Sequence, residues 1–259
     1  MAEPLACGSE PEPSGAPSIF IQQAQEIDCA FRKATPLASR YPGWLRCTWF
    51  PDAFEGDRLD DACLRQALKA GQENMGGWPF LFADAGGKAC RPLCDGYETV
   101  IEFEGPNYHT EFWQLRDTGF FSHARLMWEE ADPDLRPRCV LHLRSLVTYV
   151  AEATRCLWRV NEVLSGSDEA LVTCRIWVEG CCGRTLLAPS DAGLGDAAGV
   201  IEKDTVQTVS HHAVGSWRDA NTQVAVDINA EMVQGLAGRQ PATEALQREV
   251  EALYAQAAP

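Results

Sequence analysis

Glu111-Phe112-Trp113-Gln114-Leu115-Arg116-Asp117-Thr118-Gly119-Phe120-Phe121 is the stretch on which the fold turns. Two arms rich in aromatic and aliphatic residues flank Asp117-Thr118-Gly119, a turn-forming tripeptide. The pattern predicts an antiparallel hairpin with arms at 111–116 and 120–128. Working outward, further strands are expected at 44–50, 97–103, 139–143 and 200–209. A second hairpin is expected with arms 171–179 and 184–187, turned by Gly180-Cys181-Cys182-Gly183.

Helical spacing interrupts these strands. Ile19, Phe20, Gln23, Ala24, Ile27, Ala30 and Phe31 fall three and four residues apart, so a helix is expected from Ser18 to Ala34. Asp57 opens a second helix, with Asp60 and Asp61 in its first turn, and Gly76-Gly77 breaks it. Leu146, Val150, Ala153, Leu157, Val160 and Leu164 form the longest stripe, ending at Gly166. Residues 222–228 read as a strand or as the approach to a helix at 229–236. Pro241 starts a last helix through Tyr254. The expected fold class is α+β, an antiparallel sheet built from hairpins with long helices packed on one face. Residues 1–17, rich in Pro, Gly, Ser and Glu, read as a disordered tail. Residues 18–43 read as an N-terminal helix and linker, and 44–256 as a single α+β domain.

Composition narrows function by exclusion. The chain has 259 residues, and 22 Lys+Arg against 37 Asp+Glu leave a net charge of −15. Such acidity opposes binding of nucleic acid by this chain alone, because phosphate contacts need a basic surface. Arg136, Arg138, Arg144, Arg155 and Arg159 form the one modest basic concentration. Residues 1–17 lack the basic and apolar regions of a secretory signal, and no apolar run reaches the roughly 20 residues of a membrane span. A cytoplasmic location is expected, with the 11 cysteines reduced and several of them packed as small hydrophobes.

Candidate reactive groups are few. Cys90, Cys94, Cys139 and His142 have ligand chemistry suited to zinc, but residues three apart on a strand point to opposite faces. No metal or cofactor is assigned. Cys181 and Cys182 sit at a glycine-flanked turn, and His211-His212 offer imidazoles downstream, but nothing in the spacing joins the two pairs. Glu102 and Glu104 alternate with apolar neighbours as on a half-exposed strand. The run from Glu129 to Asp134 reads as solvated charge. No catalytic set is assigned. Most of the eight tryptophans are expected in the core, with Trp78, Trp113 and Arg184 as a possible binding surface.

The landmarks also carry a resemblance. Phe50-Pro51, Gly77-Trp78-Pro79-Phe80, the 111–121 hairpin, an acidic loop, the long helix from Leu146 and Gly180-Cys181-Cys182-Gly183-Arg184 follow in this order. The order resembles the C-terminal accessory region of bacterial proteins whose N-terminal half is a Schlafen-like (AlbA-type) DNA-binding domain. The acidic-Phe-Lys entry and glycine-rich strand of that N-terminal domain are not in this sequence. The resemblance therefore implies only an accessory domain for regulation, sensing or protein contact, with another protein as partner. Two alternatives stand beside it: a cysteine-dependent enzyme using the turn at Gly180 to Gly183, and a nucleic-acid-associated regulator.

Overall fold

The structure, a computed structural model, describes residues 18–35, 41–53, 58–72, 75, 80–81, 90–103, 109–131, 139–188 and 199–256. In chain order the elements are α1 (Ser18–Ala34), β1 (Trp44–Pro51), α2 (Asp61–Ala70), β2 (Cys90–Leu93), β3 (Gly96–Phe103), β4 (His109–Arg116), β5 (Phe121–Leu126), α3 (Trp128–Ala131), β6 (Val140–His142), α4 (Leu143–Leu164), β7 (Leu171–Glu179), β8 (Thr185–Leu187), β9 (Gly199–Val200), β10 (Val206–Ala213), α5 (Val214–Asp219), α6 (Asn221–Ala237) and α7 (Thr243–Gln256). The tail expected at 1–17 lies outside the described residues.

Seven strands form an antiparallel sheet in the order β10-β7-β1-β5-β4-β3-β2, and the class is α+β as expected. Side chains alternate across a strand, so the central strands divide their residues between two buried layers. Leu45, Cys47 and Trp49 of β1 pack with Trp113, Leu115, Ile176 and the apolar stripes of α2, α4, α6 and α7. Trp44 and Phe50, on the alternate face, join Phe112, Phe120 and Ala124 under Phe20, Ile27 and Phe31 of α1. The long helices therefore share one face, and α1 covers the middle of the other. Its apolar stripe is consumed by its own sheet, so α1 does not present that face to a partner.

Several local expectations change. Asp60, not Asp57, caps α2: its carboxylate accepts from the Cys63 N–H at 2.7 Å, and the helix stops at Gly71. Residues 90–93, outside the expected strands, form β2 beside β3. Residues 222–228 belong to α6. The second hairpin does not form, because both edges of β7 are already taken by β1 and β10. The turn at Gly180, whose φ of 68° suits glycine, sends the chain into a separate small sheet of order β6-β8-β9. The strand expected at 200–209 begins later, as β10, which places His211 and His212 inside it.

Candidate functional site

The densest cluster of titratable groups lies between the sheet and α4. Glu111 of β4 stands opposite Arg125 of β5, and Cys47 of β1 stands opposite His123 of β5. All four side chains point towards the long helices, which add Tyr149 and Glu152 from α4. Glu111 and Glu152 are fully buried. His109 Nε2 meets Glu111 at 3.0 Å, His123 Nε2 approaches the other Glu111 oxygen at 3.2 Å, and Arg125 reaches Glu111 at 3.5 Å. Arg125 also donates to Glu152 at 2.8 Å, with its guanidinium 5.1 Å from the ring centre of Phe80. That ring stacks on His123 with centroids 4.3 Å apart.

The electrostatics give the cluster a direction. Burial alone would raise the Glu111 pKa, but His123, His109 and Arg125 together hold it well below the usual carboxylate range. Burial lowers the His123 pKa, only partly countered by Glu111, so the imidazole is neutral near pH 7. His123 Nε2 lies 3.2 Å from the Glu111 carboxylate, and its Nδ1 shares a hydrogen bond with the Tyr149 hydroxyl at 3.0 Å. Burial raises the pKa of Tyr149 well above the ordinary phenol value, so it keeps its proton. The Cys47 thiol, pushed up to about 12 by burial, closes the chain at Tyr149. Cys47, Tyr149, His123 and Glu111 thus lie side by side as one buried row of polar groups. The Cys47 thiol keeps its proton and is not a nucleophile at neutral pH.

A second buried ion cluster joins the start of β1 to the small sheet. Arg184 donates to Glu130 and, at 2.6 Å, to the Gly180 carbonyl. The Gly43 N–H donates to the same Glu130 oxygen at 3.0 Å, and a Cβ at Gly43 would meet that oxygen at 2.5 Å, so a larger residue would push the Glu130–Arg184 pair aside. Beside it, Glu129 accepts from the His142 N–H at 2.8 Å, next to the start of α4. Burial raises the Glu129 pKa despite that hydrogen bond. Glu129 and Glu130 are therefore structural and buried, which corrects their reading as solvated charge: a guanidinium and a helix N-terminus compensate them. Residues 132–134 of that run lie outside the described residues, as does Glu104, and Glu102 is exposed.

The other sequence candidates do not assemble. Trp113 is 0% exposed in the core and Arg184 is buried, so neither contributes to a surface. Trp78 lies outside the described residues. Cys181 is buried, its thiol pushed up to about 12 by burial, whereas Cys182 is exposed. His211 and His212 lie at the far end of β10 from that turn, paired with Thr173 and Val172, and His212 packs on Trp217 with ring centres 5.3 Å apart. Among the described residues no group of three or more His, Cys, Asp or Glu side chains could hold a metal ion. Cys90 lies on the sheet edge, and Cys139 lies beside the small sheet.

Sequence reasoning missed His109, His123, Arg125 and Glu152. The signal was the phase: on the 109–126 hairpin these polar residues share the face of Trp113, Leu115 and Phe121, and Glu152 sits within the α4 stripe. A polar residue in phase with a core stripe must be bonded there. Among the described residues no helix is long and apolar enough to cross a membrane. Compared with known protein families, with curated proteins and with solved structures, the chain finds no match.

Proposed function

We propose that the chain is a non-catalytic regulatory, sensing or protein-interaction domain of a bacterial cytoplasmic protein. One observation carries this reading. The densest group of acid–base and thiol side chains among the described residues (Glu111, His109, His123, Tyr149 and Cys47) lies inside the core, where it joins the sheet to α4. Buried ionic groups so placed serve conformational specificity. The landmark order shared with accessory regions of Schlafen-like proteins fits the same role. With a net charge of −15, another protein is the expected partner in preference to nucleic acid.

Two measurements test the reading. Iodoacetamide labelling of the native chain across pH should be slow at Cys47 and Cys181, with no inflection near neutrality. Fast labelling of either thiol at pH 7 overturns the non-catalytic assignment. Cross-linking mass spectrometry of complexes from the native cell should concentrate cross-links on one protein present in constant proportion. Recovery of the chain alone and monodisperse overturns the interaction assignment.

A further inference from the structure

The two edges of the large sheet are built differently. Hydrogen-bond phase shows which backbone groups face outward. The Asp52 N–H donates to the Leu171 carbonyl at 2.9 Å, one step beyond the β1–β7 register, so the odd residues of β7 bond to β1. Its even residues then bond to β10. The Val214 N–H on the Ala170 carbonyl at 3.0 Å continues that second ladder in the same phase. In β10 the even residues therefore face β7, and Gln207, Val209 and His211 direct both N–H and C=O away from the sheet. Among the described residues no strand pairs with this side.

The same reasoning applies to the opposite edge. The Asp117 N–H on Asp95, at 2.8 Å, sets odd β3 residues against β4 and even ones against β2. Glu98 and Gly96 pair with Arg91 and Leu93, which leaves Pro92 facing outward. Proline has no N–H to offer an incoming strand, and β2 is only four residues long. That edge is blunted. β10 carries no proline over its eight residues, about 26 Å of open backbone, and Val209 is 47% exposed on it.

The surroundings of β10 select a charge. Helix α6 packs on β10, where Glu231 accepts from the Thr208 hydroxyl, and it leaves Asp227 and Glu231 exposed alongside the strand. Glu202 and Asp204, exposed with Lys203 between them, lead into it. On the other flank Arg175 is turned onto Gln207 and Trp177, and His211 lies 3.8 Å from Asp52. A second copy of β10 would bring the same acidic rim and a further net charge of −15 against the first.

We infer that β10 is a docking edge for an extended, basic segment of a partner protein, which adds a strand through Gln207, Val209 and His211 while its lysines or arginines meet the α6 rim. This rests on the protein-interaction reading above.

The test uses the full chain with a short capped peptide alternating lysine and valine, and a glutamate–valine counterpart. The basic peptide should slow hydrogen exchange at the Gln207, Val209 and His211 amides, with the acidic peptide at least about tenfold weaker. Val209→Pro deletes one outward N–H without touching the β7 ladder and should abolish binding. Asp227→Lys with Glu231→Lys should reverse the charge preference, and decides the matter if the proline variant does not fold. Equal binding of both peptides, protection elsewhere, no binding, or a dimer protecting these same amides overturns the inference. A native partner cross-linked away from β10 would overturn this inference alone and leave the domain reading standing. Reactive Cys47 or Cys181 would overturn that reading instead.

Discussion

The two faces of the large sheet are both buried, but by different chemistry. Under α1 the contact is aromatic. Phe20 lies 5.2 Å from Phe50, Phe31 meets Trp44 edge-on at 4.9 Å, and Arg46 is held between Phe31 and Trp177 and paired with Asp28 and Glu179. Under the long helices an apolar core surrounds the chain of bonds through Glu111, His123 and Arg125. Aromatic packing tolerates small shifts, because dispersion and burial have no sharp direction. A buried carboxylate with three cationic or imidazole neighbours does not, since a lost partner strands a charge in a medium that solvates it poorly. The helix face therefore sets the geometry, and the α1 face adds burial.

The largest expected effect follows from that contrast. Glu111→Ala takes the carboxylate from both imidazoles and leaves Arg125 with Glu152 alone, and should cost about 3 kcal/mol in urea unfolding. Phe20→Ala on the other face should cost about 3 kcal/mol, at the lower end of aromatic truncations because the first turn of α1 can relax. The double variant should be additive within about 0.5 kcal/mol, since the sheet separates the sites. Strong coupling would break the comparison.

Acid should act on the helix face alone. The folded pKa of Glu111 is depressed, so its contribution is present above the unfolded value of about 4.3 and is lost as pH falls through the folded value. His123 has the same sign: its lowered pKa makes protonation below about 6.5 favour the unfolded chain. Thermal melts should therefore fall between pH 7 and 4 in the wild type and in Phe20→Ala alike, and fall less in Glu111→Gln. Glu129 works in the opposite direction. Its raised pKa contributes stability below the unfolded value, which is lost as pH rises through the folded value. Glu129→Gln should flatten the alkaline side of the same curve. The smallest effect is at the rim: Asp60→Ala removes the cap of α2 and should cost about 1 kcal/mol.

Much of this contrast was legible in residue order, but not its chemistry. The hairpin at Asp117-Thr118-Gly119 and the stripe of α4 are local patterns, and both form where periodicity places them. Glu152 carries no local sign of its role, because its partner Arg125 is 27 residues away and on another element. Arg184 looked like a surface cation for the same reason: Glu130, 54 residues earlier, is what buries it.

Spacing, turn residues and helix stripes by themselves determined most of the longer elements and the α+β class, since those depend on backbone preference and on which side of each segment is apolar. Tertiary structure alone decided that β8 leaves β7 for a separate sheet, that α1 lies opposite the other helices, and which carboxylates lose water. Those outcomes depend on which distant segments compete for the same strand edge or the same buried charge, and no local pattern records that competition.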